Sequence, residues 1–122
     1  MYTRVIVRQM DSKRFREFIS PSGHRMIVGK NDKANDELTF KIADPDDLWF
    51  HISDVPGPHV VLQWTGNGAN KVDIAFAAQL AVQYSKASGK NRVDYCQVKD
   101  LKRTKTLGQV IMSCKKTIST CV

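Results

Sequence analysis

The chain has 122 residues, with 19 Lys+Arg against 12 Asp+Glu and a formal net charge of +7. Its length fits one domain of about 100–150 residues, excludes a large barrel and leaves little room for a separate catalytic domain. With 42% hydrophobic and 25% charged residues it reads as globular rather than disordered, and the excess of cations points to a polyanion, either nucleic acid or an anionic membrane surface.

In chain order, Thr3–Gln9 alternates with a period of two and predicts a strand. Arg14–Ser20 predicts a second strand and His24–Gly29 a third. The turn Ser20-Pro21-Ser22-Gly23 makes residues 14–29 a hairpin. Residues 35–43 carry two signals. Leu38, Phe40 and Ile42 alternate like a strand, whereas Asn35 as an N-cap, Asp36 and Glu37 in a first turn and Asp44-Pro45 as a stop favour a short helix, which is the preferred reading. Leu48–Ser53 and His59–Trp64 predict strands joined by a turn over residues 54–58.

Residues 70–88 form the clearest helix. Asn70 caps it, Asp73 completes a capping box, and Gly89 sits where a left-handed C-terminal cap is expected. Its polar positions Gln79, Gln83 and Lys86 fall on a narrow arc, so most of its surface is expected to be buried. Arg92–Val98 and Gly108–Cys114 follow as strands, and Lys115-Lys116 turns into a last strand, Thr117–Val122. In that hairpin Cys114 would face Thr117 and Cys121 would face Val110. The sum is an α+β fold in one domain over residues 1–122. A mostly antiparallel or mixed sheet of short strands is covered by one long and one short helix.

Cys96, Cys114 and Cys121 are odd in number and contain no C-x-x-C pair, which argues against a disulfide framework and a structural zinc site. Charges at Arg4, Arg8, Asp11, Lys13 and Arg14 leave no apolar run for a signal peptide, and no stretch approaches a membrane span, so a cytoplasmic protein with free thiols is expected.

The charge is unevenly placed. Residues 1–61 hold nine cations and nine anions, whereas residues 62–122 hold ten cations and three anions, with nine of the cations between Lys86 and Lys116. Lys86, Lys90, Arg92, Lys99, Lys102, Arg103 and Lys105 are candidate phosphate contacts; the plainer alternative is a basic face kept for solubility. The neutral half holds the other candidates. In Gly29-Lys30-Asn31-Asp32-Lys33-Ala34-Asn35-Asp36, lysines, the Asn31 amide and a helix start at Asn35 could meet a phosphate, or form only an Asn-rich turn with a cap. On a strand over 48–53, Trp49 and His51 share one face and could stack a base, with His59 nearby. They could equally be a core tryptophan and a hydrogen-bonded core histidine. Asp47, His51, His59 and Cys96 match no catalytic or metal-ligand spacing, and no cofactor is implied.

Taken in order, Phe18-x-x-x-x-Gly23, Ile27-Val28-Gly29-Lys30-Asn31, Asn35-Asp36-x-Leu38-Thr39, Asp47-Leu48-Trp49-Phe50-His51 and Pro56-Gly57-Pro58-His59-Val60-Val61 resemble the NFACT-R domain. The likeness continues through Ala77-Ala78-x-x-Ala81-x-x-Tyr84-Ser85-Lys86-Ala87, Val98-Lys99-x-x-Lys102-Arg103 and Lys116-Thr117-Ile118. That domain is the RNA-binding module of the NFACT proteins of ribosome-associated quality control. The resemblance implies a stand-alone RNA-binding module, with tRNA or rRNA and the ribosome as partners and no membrane. With RNA as the expected partner, Lys30, Asn31, Asn35, Asp36, Trp49, His51 and His59 are the residues expected to form one RNA-binding pocket. Two departures stand out. Pro58 replaces the family's usual Ser or Ala and removes a backbone donor, and Lys30 stands where Arg is common. Two other functions fit the residues: a protein-interaction module docking on ribosomes or a quality-control partner, and a small RNA-processing enzyme using His51 or His59.

Overall fold

The computed structural model describes residues 11–63, 70–87 and 89–121. The strand expected at Thr3–Gln9 and the end of the one expected at His59–Trp64 lie outside these residues. Six strands form one antiparallel sheet: β1 (Phe15–Ile19), β2 (Arg25–Gly29), β3 (Leu48–Ile52), β4 (Val60–Leu62), β5 (Lys90–Gln97) and β8 (Lys116–Cys121), in the order β1-β2-β4-β3-β5-β8. A second ladder pairs β6 (Leu101–Arg103) with β7 (Val110–Met112). Two helices complete the fold: α1 (Asp32–Glu37), continued by a π turn over Leu38–Ile42, and α2 (Lys71–Gln83).

Both faces of the sheet centre are covered, and the alternation of β3 shows how. Leu48, Phe50 and Ile52 point to one face and pack with Ala77, Ala81 and Val82 of α2. Trp49 points to the other, with Ile27, Val61 and Cys96 beneath Ala34 of α1, Leu38 of the π turn and Leu101 of the β6–β7 hairpin. Strands buried on both sides read as continuous apolar runs, as Met26-Ile27-Val28 and Val60-Val61-Leu62 do.

The capping box of α2 is present. Asn70 Oδ1 accepts from the backbone N–H groups of Val72 and Asp73, each at 3.0 Å, and Asp73 reaches back to the Asn70 N–H. Four expectations are corrected. The first helix starts at Asp32 and is capped by Asn31, whose side chain accepts from the Ala34 N–H at 2.8 Å, so Asn35 lies inside it. The long helix stops at Tyr84, where the Ser85 hydroxyl bonds the Val82 carbonyl, and Gly89, at φ +75°, serves the turn into β5 instead. α2 buries only one side: Val72 is 56% exposed and Phe76 46%. The final hairpin does not form, because β7 pairs with β6 above the sheet. β8 takes the free edge of β5, with Ile118 opposite Val93 and Cys121 opposite Lys90. There Ile118 gains contact with the α2-side core, which a hairpin with β7 would not supply.

Candidate nucleic-acid interface

The seven residues expected in one pocket are divided between two. Trp49, His51 and His59 line a cavity of about 220 Å³ beneath the β6–β7 hairpin, closed by Gly108, Val110 and Met112. Lys30, Asn31 and Asn35 line a separate groove of about 520 Å³ between α1, the 55–58 segment and the end of α2. Asp36 lines neither.

The cavity is a hydrogen-bonded core. Only 1% of Trp49 and 2% of His59 is exposed. Gly108 C=O can only accept, so His59 Nε2, 2.9 Å away, carries the proton. His59 Nδ1 then accepts from the Thr39 hydroxyl at 2.7 Å, and Thr39 Oγ1 accepts from Trp49 Nε1 at 3.2 Å. Every polar ring atom of Trp49 and His59 is engaged, and the chain of bonds pins the hairpin to the sheet. Burial, reinforced by the neighbouring His51, pulls the His59 pKa down to about 4, so the ring is neutral at physiological pH. The same neutral ring preserves its acceptor for Thr39.

His51 is half-buried and stacks on Trp49 with centroids 5.9 Å apart. Burial lowers its pKa, despite backbone contacts at Ile52 and Gly57 and the charge of Asp94 across the β3–β5 pair. Burial also pushes the Cys96 thiol up to about 12, which removes it as a nucleophile at neutral pH. Among the described residues, no three His, Cys, Asp or Glu side chains come together as a metal site.

The groove has the opposite character. Gly29 ends β2 where a Cβ would lie 2.1 Å from Asn35 Oδ1, so only glycine lets α1 pack this close. Asn35 Oδ1 accepts from the His59 N–H at 3.1 Å, fixing its amide between cavity and groove. Three cations meet here: Lys30, Lys86 and Arg16, whose guanidinium lies 4.3 Å over the Tyr84 ring. Asp32 is the one acidic side chain in the lining. Lys30 Nζ donates to the Ser12 carbonyl at 2.5 Å, which holds the ammonium in place without neutralising it.

The basic stretch is likewise divided. Lys86 lines the groove, and Lys90 and Arg92 line an adjoining cleft of about 350 Å³ with Ser53 and Asp54, so the two hollows flank the 53–58 segment. Lys99 lies beyond the far end of β5, about 23 Å away at roughly 3.3 Å per residue. It bonds Asp46 at 3.2 Å. Arg103 is paired with buried Asp36 at 2.5 Å and stacked on Phe40 at 4.4 Å, so its charge is balanced and its position fixed. Lys102 and Lys105 are exposed on the hairpin and its turn, with no acidic partner among the described residues. The cationic ends of Lys99 and Arg103 thus already meet carboxylates.

Sequence reasoning missed Arg16, Tyr84 and Val55 as groove residues. Tyr84 was visible in the Tyr84-Ser85-Lys86-Ala87 motif. Arg16 gave no signal, because a lone arginine in an alternating strand is ordinary.

An antiparallel α+β module with a cation-lined groove is what the fold and site define. The sequence model of the NFACT protein RNA binding domain matches residues 14–118, so the chain belongs to that family. It is 45% identical over 78 residues to the Rqc2 homolog RqcH of Streptococcus suis, covering 62% of this chain and 14% of that protein. It is 37% identical over 86 residues to the Rqc2 homolog RqcH of Bacillus subtilis, covering 69% and 15%. The chain therefore spans about a seventh of the length of these relatives. The C-terminal part of the fibronectin/fibrinogen-binding protein of Streptococcus suis has the same fold, with a TM-score of 0.82 and 33% identity over 98% of this chain and 48% of that one. Among the described residues, no helix is long and apolar enough to cross a membrane.

Proposed function

We propose that the chain is an RNA-binding module of ribosome-associated quality control, one NFACT-R unit that meets tRNA or rRNA through its groove. The family's description and the Rqc2-homolog relatives support RNA as the partner. The observation that carries the reading is the convergence of Arg16, Lys30 and Lys86 on one groove, with Lys90 and Arg92 in the cleft beside it. Cations from β1, the turn before α1, the segment after α2 and β5 thereby face one end of the sheet, an arrangement suited to a phosphate backbone. The three groove cations predict a log–log salt slope near −2, at ~0.7 per contact on a single strand. A slope near −3.5 is expected if Lys90 and Arg92 also engage, at the same ~0.7 per contact. Filter binding of a purified tRNA across a salt series tests this, and a slope near zero overturns it.

A non-catalytic role fits the histidines. His59 has no free ring atom for a substrate, and its neutral ring is already the acceptor for Thr39. One observation favours a second partner: Val72 and Phe76 leave an apolar stripe on the outer side of α2, suited to protein contact. Ribosome co-sedimentation of a Phe76→Ser variant with RNA affinity unchanged distinguishes the two. Loss of sedimentation there would support docking through protein.

A further inference from the structure

We infer that the groove takes one unpaired nucleotide, with its base inside and its phosphate at the cationic mouth, so that the module selects single-stranded over duplex RNA. This rests on the RNA-binding reading above and specifies its substrate. The groove's volume of about 520 Å³ falls within the ~300–1,000 Å³ of small-ligand sites and is too large for a phosphate alone.

The walls are chemically divided. Val55, Pro56, Pro58 and Ala87 offer an apolar surface, which suits the flat face of a base and not a phosphate. Arg16, Lys30 and Lys86 supply the positive charge, and with Asp32 the four sum to +2. Arg16 is held by the Tyr84 ring rather than by a carboxylate, so its donors remain available.

A buried amide points the same way. Asn35 is 4% exposed, its Oδ1 is occupied by the His59 N–H, and its Nδ2 donates to no other described residue. An amide donor left open on a groove wall is suited to an acceptor on a base edge. The bases of an A-form duplex stay stacked inside the helix and present chiefly sugar and phosphate to a concave site, whereas an unpaired base can enter. Beside the groove, the cleft of Lys90 and Arg92 gives the next phosphate a place to continue.

Fluorescence anisotropy with three probes tests this: a uridine strand of about ten nucleotides, an abasic strand of the same length, and the corresponding duplex. The uridine strand is expected to bind about tenfold more tightly than either of the others. Val55→Glu places a carboxylate on the apolar wall at an exposed loop position and is expected to erase that preference. Lys86→Glu is expected to weaken the uridine and abasic strands alike. Circular dichroism melts confirm that both variants fold. Equal affinity for uridine and abasic strands, or a preference that survives Val55→Glu, overturns the nucleotide site. In that case a retained salt slope still leaves RNA binding standing. Failure of all three probes to bind overturns both readings.

Discussion

The cavity under the hairpin and the groove lie on either side of one amide, that of Asn35, and they are built on opposite rules. Beneath the hairpin, Trp49, Thr39, His59 and Gly108 C=O satisfy one another, and their polar atoms are occupied. In the groove, Arg16 and Lys86 have no acidic partner among the described residues, and the Asn35 amide retains a donor. Tryptophan and histidine look more like ligand-binding residues than an alanine or a proline does. Yet the histidine and tryptophan hold the fold here, while the groove sets plain apolar walls beside cations. What separates a site from a core is therefore whether polar atoms still lack partners, not which residue types are present.

The largest effect expected from this contrast is on stability. His59→Ala removes the link between hairpin and sheet and leaves the Thr39 O–H without its acceptor and the Gly108 carbonyl without its donor, at a cost of about 3–4 kcal/mol. A thermal melt should fall by roughly 10 °C or more, while RNA affinity measured well below the melting temperature stays within about twofold. Gly29→Ala should also lower the melting temperature, since its Cβ would collide with the Asn35 side chain that holds the His59 backbone, and because both residues line the groove it should weaken RNA binding as well.

The second effect is on pH dependence. The His59 pKa is lowered from 6.5 to about 4, so between these values the unfolded chain binds the proton that the folded one refuses. The contribution is complete above pH 6.5 and is lost as pH falls toward 4. About 3 kcal/mol is at stake in all, and about 2 kcal/mol at pH 5. Urea midpoints at pH 7 and pH 5 measure it. His51, also lowered by burial, adds in the same direction. A His59→Gln variant should flatten the profile.

Next comes binding. Lys30→Glu with Lys86→Glu should raise the Kd for RNA at least tenfold, or about 1.4 kcal/mol, with no change in melting temperature, because both side chains are exposed. The smallest effect is expected at Lys99, beyond the other end of β5. Its exposed pair with Asp46 is worth about 0.5 kcal/mol, and Lys99→Ala should change RNA affinity less than twofold. A large loss there would return the interface to the whole basic stretch.

Much of the fold was legible where local chemistry is strong. The turn before Gly23 and the Asn70–Asp73 capping box announce their elements directly, and both are present. The end of α2 was not legible, because residues 81–88 continue to favour helix, whereas Ser85 lies close against Gly57 of a distant segment, a contact the sequence does not show. The β6–β7 ladder escaped because Leu101-Lys102-Arg103 is short and charged, and its pairing is decided by Leu101 and Val110 closing over Trp49. The candidate pocket was half legible. Lys30, Asn31 and Asn35 do line a groove, but periodicity places His51 and Trp49 on a face without telling whether another layer covers it. Only the hairpin above them does that.

The central claim is that RNA lies in the groove and not beneath the hairpin. Photocrosslinking a 4-thiouridine strand to the protein and mapping the adducts by mass spectrometry tests it most directly. Adducts within residues 55–58 and 84–87 are the predicted result. Adducts confined to residues 108–112 and His51 would contradict it.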